Sequence, residues 1–164
     1  MKLYNNSHLV TFNSVCEEQV SCFKSVKSIN ASSIKIIDWI RYCVNPIGVK
    51  IKIARDNVML YRATLEHNIK LGLPAFCPGA LLKSRDRNLT KEEKIVKQTG
   101  WMQFDIDLKD NPEIVDASKL RDEIKNISYV AFCGLSVSAK GVWGLVKVLS
   151  IKNYSLHFKQ LVID

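Results

Sequence analysis

A two-residue period is clearest at residues 101 to 108, Trp-Met-Gln-Phe-Asp-Ile-Asp-Leu. Met102, Phe104, Ile106 and Leu108 point one way, and Gln103, Asp105 and Asp107 the other. This pattern predicts a half-buried strand that carries two carboxylates side by side on its polar face. Residues 8 to 15 alternate more loosely and predict a first strand. Residues 129 to 138 and Val142-Trp-Gly-Leu-Val-Lys-Val-Leu predict two more, joined at Ala139-Lys140-Gly141 as a hairpin. Residues 16 to 31 are polar and rich in Ser and Lys, and read as a connection with room for a short strand.

Helical spacing marks other stretches. Ile36, Ile37, Ile40, Cys43 and Val44 form one stripe, preceded by capping side chains at Asn30 to Ser33 and ended by Asn45-Pro46. Trp39 and Tyr42 on that helix read as packing residues. Ile51, Ala54, Val58, Tyr61 and Leu65 continue the spacing over residues 47 to 70, with His67 near the end. Ala117, Leu120, Ile124 and Ile127 predict an amphipathic helix capped by Asp116, after a turn at Lys109-Asp-Asn-Pro. A final helix is expected from Ile151, with Leu156 and Leu161 apolar. Pro74 and Pro78 forbid helix and predict an extended segment turning at Pro78-Gly79.

The sum is an α+β domain with a mainly antiparallel sheet flanked by helices. At 164 residues the chain is one domain, 1–164, long enough for a core of its own. Its 47% hydrophobic and 24% charged content is that of a globule rather than a disordered chain. No apolar run reaches the length of a membrane span, and the polar start has no secretory signature, so the expectation is a cytoplasmic protein without membrane contact. Five cysteines, Cys16, Cys22, Cys43, Cys77 and Cys133, are scattered without metal-ligand spacing and read as buried thiols.

A net charge of +8 favours a polyanionic partner. Residues 83–98 gather six bases, Lys83, Arg85, Arg87, Lys91, Lys94 and Lys97, against three acids. They read as an exposed loop or short helix whose bases, Lys83, Arg85 and Arg87 first among them, could bind nucleic acid, or as a solvated charge run. Two carboxylates at i and i+2 can share a divalent cation, although a bare Asp-x-Asp is common by chance. At the hairpin, Ser136, Ser138, Lys140 and Gly141 offer two hydroxyls, an ammonium and a permissive backbone, the makings of a phosphate contact. The plainer reading is a turn whose serines satisfy its own amides.

The succession Leu73-Pro74-Ala75-Phe76, then Gly100-Trp-Met-Gln-Phe-Asp-Ile-Asp, then Phe132-Cys-Gly-Leu-Ser-Val-Ser-Ala-Lys-Gly-Val-Trp-Gly-Leu-Val, resembles the primase-like domain at the N-terminus of bacterial VirE-type proteins of mobile elements. That family is similar to the archaeo-eukaryotic primase-polymerase superfamily. The resemblance is strongest over residues 70–164. It implies a primase-polymerase-like core and template-dependent nucleotidyl transfer in DNA replication, with Asp105 and Asp107 as catalytic ligands of Mg²⁺ or Mn²⁺. Ser136, Ser138, Lys140 and Gly141 would be nucleotide contacts. Nucleoside triphosphates and DNA or RNA are the implied partners, with a helicase domain or protein as a further candidate.

Within the motifs, Ala139 stands where the family's Ser-Gly-x-Gly has glycine, and Trp143 where many members have histidine. The third motif, an apolar residue and an Asp on a later strand, is absent. Ile163-Asp164 fits it superficially but falls in the final helix. The expectation is therefore a core incomplete at its C-terminus and impaired alone. A non-catalytic nucleic-acid-binding module using the 83–97 segment and the hairpin is the alternative, and a metal-dependent nuclease using the same carboxylates is a third.

Overall fold

The computed structural model describes residues 17–44, 70–148 and 150–163. The strand expected at 8–15, most of the helix expected at 47–70, His67 and Asp164 lie outside them. What is described is mixed α+β: three antiparallel sheets with helices packed around them. Among the described residues no helix is long and apolar enough to cross a membrane.

The first sheet has the order β2-β1-β3, with β1 at Gln19–Phe23, β2 at Ser32–Lys35 and β3 at Ala75–Cys77. The sequence pattern gave no firm sign of β1, which nevertheless forms the centre of this sheet. Its Val20 is fully buried. So is Ser21, whose Oγ accepts a hydrogen bond from Leu82 N at 2.6 Å and so removes the cost of burying a hydroxyl. Residues 32 and 33, expected as helix caps, lie in β2, and helix α1 (Ile36–Val44) follows the strand directly. The Ile36 amide is satisfied instead by Glu18 O at 3.1 Å. Ile36, Trp39 and Ile40 are buried, and the Trp39 indole stacks on Phe76 with centroids 4.7 Å apart, in agreement with a packing role.

The turn at Pro78-Gly79 leads to β4 (Ala80–Leu82), which pairs with β5 (Ile95–Gln98). The charged segment between them is more ordered than a loop. Thr90 and Glu93 form a reciprocal cap on the single turn α2, Lys91–Lys94. Residues 95–98, expected as exposed loop or helix, are strand because Ile95 pairs with Leu82.

The third sheet has the order β6-β8-β7: β6 at Trp101–Asp107, β7 at Val130–Leu135 and β8 at Gly141–Lys147. β8 is antiparallel to both neighbours, so β6 and β7 run parallel with β8 between them. Helix α3 (Ala117–Ile124) makes the connection, with Asp116 Oδ1 capping Ser118 N at 2.7 Å and Lys119 N at 3.2 Å. This is a split β-α-β unit.

Both faces of this sheet are covered near the start of β6. Met102, Val146 and Val148 pack with Tyr154 and Leu161 of the last helix, α4 (Tyr154–Ile163). On the other face Trp101 and Leu145 pack with Val20, Ile36 and Ile40. The face that bears the acids is therefore core at Trp101 and opens only further along the strand. Where sheets one and three meet, Glu18 Oε2 accepts from Trp101 Nε1 at 3.0 Å and from Lys147 Nζ at 2.7 Å.

Candidate functional site

Strand alternation puts Asp105 and Asp107 on one face, about 6.6 Å apart along β6. The β6–β8 register sets Asp105 opposite Trp143 and Asp107 opposite Gly141. Because β7 runs parallel to β6, its exit turn, Ser136 to Lys140, opens at the same end as the acids. Leu108 N donates to Lys140 O at 3.1 Å, which ties the turn to the end of β6. The split β-α-β connection thus brings together the two groups that the sequence separates by an entire helix.

Gly141 is required by this approach. A Cβ there would stand 2.6 Å from Ile106 O and 3.4 Å from Asp107 Oδ1. The other turn residues are largely occupied with one another. Ser136 N donates to Gly141 O at 2.9 Å, Ala139 N to Ser136 O at 2.9 Å, and the hydroxyls of Ser136 and Ser138 lie 3.3 Å apart. Ser138 is buried. Both hydroxyls therefore serve the turn first, as the plainer reading of the hairpin has it. Ala139 takes φ +58°, the left-handed conformation that a glycine adopts without steric penalty.

Asp105 is exposed as a residue, yet partial desolvation of its carboxyl and then the neighbouring Asp107 charge hold that carboxyl above its usual range, while Lys70 and Lys109 oppose the shift. Lys109 Nζ lies 3.7 Å from Asp107 Oδ2. Lys70 and Lys109 did not stand out in the sequence. Lys109 could have been found from its place two residues after Asp107, but Lys70 comes close only through the fold.

Among the described residues no group of three or more His, Cys, Asp or Glu is placed to hold a metal ion. The donor set still fits Mg²⁺ or Mn²⁺, because such ions are commonly held by one or two carboxylates and complete their shell with water and phosphate oxygens. A cation here would also relieve the repulsion that raises Asp105.

The basic segment divides. Lys83 and Arg87 are exposed, about 20 residues before the acids in sequence. Arg85 is not presented in the same way. Its guanidinium donates to Ser28 O at 2.5 Å, to Ser25 O at 2.8 Å and to Val26 O, and lies over the Phe23 ring at 4.2 Å. It fastens the 25–28 loop, so a phosphate would have to compete with three carbonyls. Cys22, Cys43, Cys77 and Cys133 take part in no disulfide and are half-buried rather than buried.

Comparison with protein-family models, curated proteins and solved structures finds no match to this chain.

Proposed function

We propose that the chain binds a nucleoside triphosphate through Mg²⁺ or Mn²⁺ held by Asp105 and Asp107, as a primase-polymerase-type nucleotidyltransferase domain of a mobile-element replication protein acting on DNA or RNA. The observation that carries this reading is the ladder that sets Asp107 against Gly141, so that two carboxylates and a tight Ser/Lys/Gly turn share one end of one sheet. The resemblance to VirE-type primase-like domains adds the reaction class. The split β-α-β order, with β8 between parallel β6 and β7, supports the reading by bringing the acids and the turn to one end of the sheet.

In this reading Asp105 and Asp107 hold the cation, which when bound neutralises the triphosphate and favours ionisation of an attacking 3′-hydroxyl. Gly141 keeps space beside Asp107 where a side chain would intrude. Lys109 and Lys140 add positive charge at the same end, for phosphate oxygens. With no third carboxylate beside the pair among the described residues, binding is expected to outlast turnover in this domain by itself.

The test is thermal unfolding of wild type and Asp105→Asn, each with and without Mn²⁺ and a nucleoside triphosphate. A ligand bound only by the folded state raises its melting temperature by mass action. The expected result is stabilisation that needs both ligands and is lost in the variant. An absence of metal-dependent stabilisation in the wild type would overturn the proposal.

A second reading, a nucleic-acid-binding module, is favoured by the exposure of Lys83, Arg87, Lys91 and Lys97 around β4 and β5. It predicts that Lys83→Glu with Arg87→Glu sharply lowers salt-dependent DNA affinity while Asp105→Asn leaves it intact.

A further inference from the structure

Trp143 stands opposite Asp105 in the β6–β8 ladder and shares its face of the sheet. It is only partly buried, although it lies on the central strand. Its indole leans on the Phe132 ring, with centroids 4.9 Å apart and planes at 51°. On its β7 side the partner is Gly134, where a Cβ would stand 2.9 Å from the Phe132 ring and 3.7 Å from Trp143 Nε1, so the two rings close over the glycine. A cavity of about 210 Å³ opens here, lined by Phe132, Trp143, Gly134 and Leu135, with Arg121 and Cys43.

Size limits what this cavity takes. Pockets that enclose an entire small-molecule ligand begin at about 300 Å³, so a complete nucleotide does not fit but one planar ring system does. The lining is suited to a ring: two aromatic side chains that meet over Gly134, and a guanidinium from α3. Asp105 is the cross-strand neighbour of Trp143, and Asp107 follows one pair further along the same face.

We infer that Trp143 and Phe132 form a stacking wall for the base of the bound nucleotide, whose triphosphate lies at Asp105 and Asp107. The inference rests on the metal–nucleotide reading above and adds the group that holds the base. Base–aromatic stacking tolerates any base, so this wall contributes affinity without choosing a sequence.

Binding of the eight common ribo- and deoxyribonucleoside triphosphates and of inorganic tripolyphosphate, each with Mn²⁺, is measured by titration calorimetry and tryptophan fluorescence. The proteins are wild type, Trp143→Ala and Trp143→Phe. The alanine variant is expected to lose on the order of tenfold in triphosphate affinity with tripolyphosphate binding unchanged. The phenylalanine variant, which keeps a ring, is expected to retain most of the affinity but lose the fluorescence quenching that nucleotides cause in the wild type. Should Trp143→Ala fail to fold, that quenching and its loss in Trp143→Phe decide alone. Equal affinities across the three proteins, or equal loss for nucleotide and tripolyphosphate, would mean that Trp143 only covers Gly134. Wild type that binds neither probe would overturn the metal–nucleotide reading itself.

Discussion

Ala139 carries a conformational cost that its neighbours make unavoidable. The turn must reverse the chain within Ser136 to Lys140, and its hydrogen bonds from Ala139 N and Ser136 N leave residue 139 in the left-handed region. A Cβ in that region costs about 1–2 kcal/mol, against about 0.5–1 kcal/mol for the extra freedom of glycine in the unfolded chain. Ala139→Gly is therefore expected to stabilise the protein by about 0.5–1 kcal/mol, seen as a higher urea midpoint at unchanged slope.

Asp105 gives a second residue-scale expectation, in pH. Its carboxyl is raised by burial and by Asp107, so the folded state holds the proton more tightly than the unfolded chain. The stability linked to that proton is complete at acid pH and is lost as pH rises through the folded value. Asp105→Asn should therefore melt above wild type at neutral pH, with the gap closing below about pH 4. Mn²⁺ should narrow the gap at neutral pH by stabilising the wild type alone.

Among the elements, those with a strong local signature were legible. The strand at 101–107 follows from its alternation, α3 from Asp116 and its apolar stripe, and the hairpin from the tight turn between two apolar runs. β1 was obscured because Ser21 looks like a surface residue until Leu82, 61 positions away, supplies its partner. β2 was obscured because its residues are also good helix caps, and β5 because Ile95 and Val96 are embedded in charges. For the candidate site, the closeness of acids and turn followed from the order strand, helix, hairpin. The fate of Arg85 could not, since its acceptors lie 57–60 residues earlier.

Arg85 is accordingly best tested as part of an element. Arg85→Ala should destabilise by about 2–3 kcal/mol, because three carbonyls lose a charged donor and Phe23 loses its cover. Lys83→Ala and Arg87→Ala, both exposed, should each stay within about 0.5 kcal/mol. Chemical unfolding of the three variants checks this. It also shows why Arg85 should be left out of any charge reversal meant to probe nucleic acid.

At the scale of the molecule, Glu18 joins the sheets. From the start of the first sheet its carboxylate reaches Trp101 and Lys147 in the third, with Lys97 at 3.7 Å. Its side chain is largely buried, so removal strands the indole N–H and leaves the Lys147 ammonium with the Thr99 carbonyl and the Trp101 ring. Glu18→Ala should cost about 3 kcal/mol, and Glu18→Gln less, as the amide oxygen can still accept from Trp101. Loss of Trp101 burial would be read from a red-shifted emission before global unfolding.

The central position of β8 also governs when the protein can fold. β6 and β7 leave the ribosome first, yet neither has its sheet partner until Gly141 to Lys147 has been made. Until then Trp101, Met102 and Phe132 lie on unpaired strands that other chains could join. Third-sheet assembly thus waits until Lys147 has been made, and any nascent chain halted before that point presents two sticky strands instead of a sheet.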